Sequence, residues 1–351
     1  MKLAYSLVAT SLVFVSSAAS PAHAQGTPHV RPARLQRYEL FLIRPFAAGS
    51  TATTSAASVN DLGQVTGMST ASEQRAFLWT VAGGAVDLGE RANALSSMGR
   101  DVNLSGMVAG SSDTATIWTG VGALVPIPAP AGTYAAFAYG LNDAGRVVGE
   151  ANLTPNLTTA WVWDPLQGTR NLRDLGVPGA ATAAAINESN QIVGQRLTSN
   201  YLAYRFDLNA GILTDLGTFG GPTSEALGID DLGRVVGWAK NANFNTRPFL
   251  WTPAAGLQDL GSLGGHPYDF GKARSINVAS EIVGESTTTS GERHAFLWDP
   301  AHGLRDLNAL VDGLGTFRLV TASRISNTGW IVGDGRDSAG GAPLGYVLRP
   351  R

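Results

Sequence analysis

The chain has 351 residues, of which 44% are hydrophobic and 15% charged, and its formal net charge is -2. A charge so close to zero argues against nucleic acid or an anionic membrane as partners held by bulk electrostatics. Because the chain contains no cysteine, neither disulfides nor thiol chemistry contribute to its fold or function.

The first 24 residues are typical of a secretory signal peptide. Lys2 supplies the positive start, Leu3–Val15 is a short apolar segment, and Ala22-His23-Ala24 has the small-x-small pattern of a cleavage site. The alternative is an uncleaved anchor, although the apolar segment is short for a membrane span. No later segment is long and apolar enough to cross a membrane. We expect cleavage after Ala24, a periplasmic or secreted mature protein, and a flexible leader at Gln25–Gln36.

The rest of the chain is organised by an internal repeat. An eight-residue motif, in which an Asn-x-x-Gly turn is followed by a short apolar segment ending in glycine, recurs seven times. Its copies are Asn60–Gly67, Asn103–Gly110, Asn142–Gly149, Asn187–Gly194, Asp230–Gly237, Asn277–Gly284 and Ser326–Gly333. The final glycines of successive copies are 39–49 residues apart. This period, with several short strands in each repeat, is typical of propeller blades.

The residues of the turn have separate roles. The Asn, Asp or Ser at the first position accepts a hydrogen bond from the backbone, and glycine at the fourth adopts the left-handed conformation that closes a hairpin. We therefore predict positive φ at Gly63, Gly145 and Gly233. Asn190 replaces the glycine in the fourth copy and tolerates that conformation. Ser280 replaces it in the sixth copy, where we expect a strained or altered turn.

Each motif is followed by a loop of variable length, an aromatic strand and a closing strand, which gives four strands per repeat. The aromatic strands are Ala76–Trp79, Thr116–Trp118, Ala160–Trp163, Ala203–Phe206, Pro248–Trp251, Ala295–Trp298 and Gly345–Leu348. The last copy has no closing strand, whereas Tyr38–Ile43 is a strand without a repeat of its own. We predict an all-β, seven-bladed propeller of four-stranded blades spanning residues 37–351, closed by pairing this N-terminal strand with the last blade.

These motifs resemble those of the bacterial extracellular HAF repeats. The resemblance rests on His294-Ala295-Phe296-Leu297-Trp298 followed by Asp306-Leu307, and on Asp215–Gly221 between two copies. It covers Tyr38–Leu348, although only the sixth copy contains the literal His-Ala-Phe. The resemblance implies export and a repeat β-architecture, and it supplies no defined catalytic residues.

The repeated acidic residues favour structural roles. Five aspartates precede leucine in the closing segments, and four others lie in the tight turns, where we expect them to form the turn. These residues are Asp87, Asp174, Asp215, Asp259 and Asp306, and Asp61, Asp143, Asp230 and Asp231. None belongs to an EF-hand-like loop, and no histidine pair has zinc-ligand spacing. The sequence contains neither a nucleophile elbow nor a phosphate-binding loop, so we predict no cofactor and no metal.

Candidate binding residues lie in the loops that vary between repeats. If the first strand of each blade is innermost, the loop after Val-Gly and the connection between blades emerge on one face, opposite the Asn-x-x-Gly turns. Loops on a rigid scaffold often carry function. The candidates are Trp238, Phe244 and Arg247 in one loop, and His266, Tyr268 and Phe270 in the next connection. Aromatic side chains beside polar ones suit sugars or extended peptides; the alternative is that they cover the end of the core.

Weaker catalytic candidates directly follow the Val-Gly step. Glu285 and Asp334 lie in adjacent repeats, and two facing carboxylates are required for glycoside hydrolysis. Glu150 occupies the same position in the third repeat, but Met68 and Trp238 do so elsewhere, so the position is variable. We predict a non-catalytic propeller that binds a carbohydrate, a cell-surface polymer or a protein. The alternatives are a glycan-degrading hydrolase or lyase and a structural component of the envelope or matrix.

Overall fold

The computed structural model of the protein describes residues 37–46, 52–154, 157–264 and 269–351. The predicted signal peptide and leader lie outside the described residues. Within these ranges the chain forms seven four-stranded antiparallel sheets arranged as a seven-bladed β-propeller. In six blades the strands follow chain order from the first to the fourth, and the seventh takes its outermost strand from the start of the described chain.

The strands are numbered in chain order, beginning with β1 (Tyr38–Leu42). Blade 1 contains β2 (Thr53–Val59), β3 (Val65–Thr70), β4 (Gln74–Thr80) and β5 (Gly84–Asp87). Blade 2 contains β6 (Ser97–Val102), β7 (Val108–Ser112), β8 (Thr114–Gly120) and β9 (Ala123–Pro126). Blade 3 contains β10 (Ala135–Leu141), β11 (Val147–Thr154), β12 (Leu157–Asp164) and β13 (Gly168–Asn171), followed by a 3₁₀ turn at Leu172–Leu175.

Blade 4 contains β14 (Ala181–Ile186), β15 (Gln191–Leu197), β16 (Tyr201–Asp207) and β17 (Ile212–Asp215). Blade 5 contains β18 (Gly220–Ile229), β19 (Val235–Asn241), β20 (Thr246–Thr252) and β21 (Gly256–Asp259). Blade 6 contains β22 (Gly271–Ile276), β23 (Ile282–Thr287), β24 (Arg293–Asp299) and β25 (Gly303–Asp306), followed by a 3₁₀ turn at Leu307–Leu310. Blade 7 contains β26 (Phe317–Ile325), β27 (Ile331–Asp337) and β28 (Leu344–Pro350), with β1 as its fourth strand.

The ring closes as predicted. Strand β1 pairs antiparallel with β28, with Leu40 opposite Leu348, and the backbone N–H of Ile43 continues the ladder to the carbonyl of Gly345. Tyr38 and Ile43 are fully buried. Blade 7 is therefore completed to four strands like the other six, and the outer edge of β28 is paired rather than exposed.

The glycine that ends each motif is required by a close approach of two strands. The first and second strands of every blade are joined with a β-bulge near this glycine. A Cβ on any of the seven glycines would lie 1.9–2.0 Å from a carbonyl oxygen of the first strand. In six blades the residue opposite the glycine on the third strand is aromatic, as Phe77 is opposite Gly67. The rings pack over the bare glycine and form the core between blades.

The turns have the predicted conformation. Gly63, Gly145 and Gly233 have φ of 74°, 78° and 74°. Ser280 also has positive φ, 68°, and its N–H donates to the carbonyl of Asn277 as in the other copies. The sixth turn therefore keeps the common shape with a residue that strains it, because a β-carbon in the left-handed region costs about 1–2 kcal/mol.

The first side chain of most turns also joins neighbouring blades. Its oxygen accepts backbone N–H groups of its own turn, while an asparagine amide donates to the turn carbonyl of the next blade, as Asn60 Nδ2 does to Asn103 at 2.8 Å. Asp230 has no donor, and Arg234, which is paired with it, donates to the carbonyl of Asn277 instead. Thr328 makes the equivalent bond to Asp61 across the closure. A ring of seven such links runs around the turn face.

Two expectations about the acidic residues need correction. Asp61, Asp143 and Asp231 do not form their own turns, because their carboxylates accept backbone N–H groups from an adjacent blade. Asp174 is not equivalent to the other closing aspartates either. The residue opposite the aromatic position in blade 3 is Asn171, and Asp174 lies in the following 3₁₀ turn.

The remaining closing aspartates are structural. Asp87, Asp259 and Asp306 each accept the backbone N–H two residues later. Asp87, Asp215, Asp259 and Asp306 pair with Arg75, Arg196, Arg247 and His294, respectively. They fix the turn after the closing strand and join it to another strand of its blade.

Candidate functional site

The centre of the ring contains two cavities that share Arg324 in their lining. The guanidinium of Arg324 lies 3.3 Å from the buried carboxylate of Asp101. The cavity on the turn face has a volume of about 280 Å³ and is lined by the residues of the Asn-x-x-Gly turns. The cavity on the opposite face, called here the loop-face cavity, has a volume of about 430 Å³.

The loop-face cavity is built from the β-bulges. In each blade the residue that the strand register skips, three positions before the turn asparagine, lines this cavity. These residues are Ala57, Arg100, Tyr139, Ala184, Leu227, Arg274 and Ser323. A bulge redirects a side chain without breaking the strand. The fold therefore offers seven positions at the channel, and three of them carry Arg100, Tyr139 and Arg274.

Three hydrogen-bonded pairs join the first and second strands at this cavity. Tyr139 donates its hydroxyl to Glu150 at 2.7 Å in blade 3, and Arg274 Nη2 donates to Glu285 at 2.8 Å in blade 6. In blade 5 the indole Nε1 of Trp238 donates to Glu225 at 2.8 Å. Each carboxylate is thus held by a rigid strand partner, which fixes its orientation before any ligand arrives.

Asp334 joins blade 7 to blade 1 at the edge of the cavity. Its carboxylate accepts the backbone N–H of Ala56 and the hydroxyl of Ser55, both at 3.0 Å. Burial raises the pKa of Asp334, and the negative charge of Glu285 acts in the same direction against the smaller effect of these bonds. Both weaker catalytic candidates, Glu285 and Asp334, are engaged in bonds within the protein, Glu285 with Arg274 and Asp334 with Ser55 and Ala56.

Two cations of the cavity region have no carboxylate within ion-pair distance among the described residues. Arg100 is exposed to the cavity, and its Cζ lies 5.7 Å from the centre of the Tyr139 ring. Lys272 Nζ lies 4.9 Å from the centre of the Trp238 ring. Burial lowers the pKa of Lys272. Both cations rest on aromatic faces.

The predicted binding residues divide into two groups. Trp238 is half-buried beside Glu225, and Phe270 is half-buried between Lys272 Nζ at 5.8 Å and Arg293 Cζ at 4.3 Å. The structure thus joins Trp238 and Phe270 through Lys272.

The other predicted residues do not join this group. Phe244 is 66% exposed at the tip of the Asn241–Asn245 turn, and Arg247 is paired with Asp259 and Asp269. His266 and Tyr268 lie outside the described residues.

Sequence reasoning missed Arg100, Tyr139, Glu225, Lys272 and Arg274. A signal for three of them is present in the repeat itself. The position three residues before the first residue of the turn reads Ala, Arg, Tyr, Ala, Leu, Arg and Ser, whereas the position before it is alanine or glycine in every copy. Such a variable position within a regular strand marks side chains that the fold does not require.

Two other features, a metal-binding cluster and a membrane-spanning helix, are absent from the described part of the chain. No group of three or more His, Asp or Glu side chains there is placed to hold a metal ion. No helix among the same residues is long and apolar enough to cross a membrane.

No protein-family model matches the chain, and no curated protein matches it significantly. Several solved structures share its fold. Virginiamycin B lyase from Staphylococcus aureus has 11% identity and a TM-score of 0.56, covering 90% of this chain and 99% of that one. An oligogalacturonate lyase in complex with manganese has 9% identity and a TM-score of 0.54, covering 90% and 96%. The oligogalacturonate lyase from Vibrio parahaemolyticus has 9% identity and a TM-score of 0.55, covering 90% and 97%. At these identities the likeness concerns the fold alone.

Proposed function

We propose that the protein is an exported, non-catalytic propeller that binds carbohydrate at its loop-face cavity. The carbohydrate belongs to a cell surface or to a polymer. The observation that carries the proposal is the convergence at one cavity of about 430 Å³ of Tyr139, Glu225 and Arg274, each held by a partner on the neighbouring strand. The partner of Glu225 is the half-buried Trp238, whose ring lies beside the cavity. Sugars present hydroxyl groups to such carboxylates and guanidinium groups, and their C–H faces pack on aromatic rings.

Binding is tested by titrating the purified protein with a panel of neutral and acidic oligosaccharides in a calorimeter. Replacing Trp238 by alanine removes the aromatic partner of Glu225 beside the cavity, and we expect it to weaken binding of the best ligand by about tenfold or more. Tyr134→Ala is the matched control, because Tyr134 is 63% exposed and neither lines the cavity nor bonds to a residue that does. The proposal is contradicted if both variants lose the same affinity, or if the protein binds none of the oligosaccharides.

A cleavage activity is the second candidate, favoured by the raised pKa of Asp334. A carboxyl group whose pKa is raised by burial is suited to act as a general acid, and the negative charge of Glu285 contributes to the rise. Against this candidate, Glu285 is paired with Arg274. The same oligosaccharides, analysed for new reducing ends or unsaturated products, distinguish cleavage from binding. A structural envelope or matrix role predicts neither result.

Export rests on the sequence of the first 24 residues. Expression of the full chain in a Gram-negative bacterium, followed by N-terminal sequencing of the protein outside the cytoplasm, is expected to give Gln25 as the first residue. A protein retained in the cytoplasm with Met1 intact contradicts this part of the proposal.

A further inference from the structure

A second cavity on the loop face lies between blades 6 and 7 and has a volume of about 320 Å³. Three arginines line it: Arg293 at the start of β24, Arg318 on β26 and Arg336 on β27. We call it the arginine cavity. Among the described residues, none of these guanidinium groups has a carboxylate within ion-pair distance.

The placement of two of these arginines lowers the stability of the blade. Arg318 and Arg336 are directly opposite each other on β26 and β27. Like charges at opposite positions of an antiparallel pair are destabilising. An anion bound between the two guanidinium groups offsets this repulsion.

The carboxylates of the arginine cavity do not neutralise its cations. Asp337 accepts the backbone N–H of Ala339 at 2.8 Å, which fixes the loop after β27. Glu292 is largely exposed, and the basic side chain within 4 Å of it is that of His294 at 3.8 Å, which is itself bonded to Asp306 at 2.7 Å. Three guanidinium groups and two carboxylates therefore line the cavity, so these five side chains carry a net positive charge.

A continuous stack of side chains joins the two cavities of the loop face. It begins at Glu225 of the loop-face cavity, which accepts the indole N–H of Trp238. The Trp238 ring lies 4.9 Å from Lys272 Nζ, and the Phe270 ring lies 5.8 Å from the same nitrogen. Arg293 Cζ lies 4.3 Å from the Phe270 ring and belongs to the arginine cavity. Cations and aromatic rings thus alternate from the loop-face cavity to the arginine cavity.

We infer that this path binds an acidic polysaccharide, with sugar rings on Trp238 and Phe270 and the anionic substituents of the chain at Lys272, Arg293, Arg318 and Arg336. The inference rests on the proposed function and specifies its ligand class. Alternating rings and cations match a chain of sugars that carries one anionic group on each unit. The shared chemistry is a carboxylate or a sulfate on a saccharide. Nucleic acid fits less well, because its affinity depends on many phosphate contacts, and this protein has a net charge of -2.

The inference is tested by measuring the affinity of the purified full chain for four polymers of matched length. Alginate presents carboxylates, dextran sulfate presents sulfates, dextran is neutral, and duplex DNA is a polyanion without acidic sugars. We expect binding to alginate or dextran sulfate, with the preferred polymer identifying the anionic group, and affinities for dextran and DNA at least about tenfold weaker. Binding to DNA as tight as to both acidic polysaccharides overturns the inference.

Substitutions locate the binding path. The double variant Arg318→Gln/Arg336→Gln is expected to lose about tenfold or more in affinity for the acidic polymer. Arg318 also donates to the carbonyls of Gly315 and Phe317, so Arg336→Gln alone serves as the variant that leaves those bonds intact. Arg44→Gln/Arg173→Gln is the matched control, with the same change of charge outside the path. The inference is overturned if the double variant and the control lose the same affinity for the acidic polymer.

Combining these variants with Trp238→Ala separates this inference from the proposed function. If neutral dextran binds and its affinity depends on Trp238 but not on the arginines, the proposed function stands and the inference of an acidic ligand is wrong. If the affinity for the acidic polymer depends on the arginines but not on Trp238, the arginine cavity binds anions and the loop-face cavity is not the carbohydrate site.

Discussion

At the scale of single residues, replacing the glycine at the fourth position of a turn costs free energy of folding, and this cost differs measurably between copies. At Gly145 an added Cβ would have its nearest neighbour at 3.6 Å, so substitution there tests the positive φ alone. At Gly63 the same atom would lie 2.8 Å from the ring of Trp330. The two positions share a turn type but not the space around it.

We therefore expect Gly145→Ala to lower the free energy of unfolding by about 1–2 kcal/mol and Gly63→Ala to lower it by more, because the second change adds a steric clash to the backbone strain. Urea denaturation measures both. Gly145→Asn is the control, and it should cost less than alanine because Asn190 holds this position in blade 4 with φ of 61°. Equal values for the two alanine variants would contradict the role assigned to Trp330.

Asp334 provides a residue-level prediction of pH dependence. Burial raises its pKa above the ordinary value near 4 of an unfolded aspartate. Its contribution to stability is therefore fully present below that ordinary value and is lost as the pH rises through the raised folded-state pKa. Asp334→Asn keeps an acceptor for the N–H of Ala56 and removes the titration. We expect the fall in the free energy of unfolding between about pH 4 and pH 7 to be smaller in this variant.

The measurement is a series of urea denaturation curves across that pH range. Asp312→Asn is the control, because Asp312 has a side chain that is 58% exposed. The interpretation is wrong if Asp334→Asn and the wild type lose the same stability over this range.

At the scale of elements, the closing strand β1 decides whether the ring has an open edge. It supplies the fully buried Tyr38 and pairs with β28 along its whole length. A propeller without it retains a blade of three strands whose outer strand presents unpaired backbone groups.

Deleting Arg37–Ile43 is expected to cause aggregation rather than a small loss of stability, because the exposed strand β28 pairs with other molecules. Size-exclusion chromatography with light scattering measures the effect. A deletion of the same length within the predicted leader, residues 29–35, is the control and should leave the protein monodisperse to the same extent as the wild type. A well-behaved protein lacking Arg37–Ile43 would show that β28 is protected in another way.

At the scale of the whole molecule, Asp101 joins four blades near the channel axis. Its carboxylate accepts the Ser58 hydroxyl of blade 1 at 2.6 Å, the backbone N–H of Leu141 of blade 3 at 2.9 Å, and Arg324 of blade 7 at 3.3 Å. Asp101 itself belongs to blade 2 and is 2% exposed. These contacts span the point where the ring closes.

We expect Asp101→Ala to lower the free energy of unfolding by about 3 kcal/mol, because it leaves Arg324 without its partner and removes the acceptor of the Ser58 hydroxyl and of the Val102 and Leu141 N–H groups. Asp312→Ala, which breaks the exposed pair with Arg37, should cost less than about 1 kcal/mol. Thermal and urea denaturation measure both. A cost for Asp101→Ala no larger than that of the control would show that the channel pair does not hold the closure.

The sequence alone determined the blade number, the turns and the ring closure. Each of these depends on local chemistry that repeats along the chain: an acceptor and a glycine in every turn, an aromatic strand at a fixed spacing, and a strand left over at the start. Local patterns of this kind persist in the fold because every blade must bury the same faces against its neighbours.

The tertiary structure alone decided which side chains meet at the candidate site. Trp238 was predicted from its loop, but Arg100, Tyr139 and Arg274 lie on strands far apart in the chain and converge only because each bulge directs its extra residue to the channel. Asn171, not Asp174, occupies the closing position of blade 3, because the strand register places Asn171 opposite Trp161, as it places Asp87 opposite Phe77 in blade 1. Arg293, Arg318 and Arg336 likewise share a cavity only where two blades pack together.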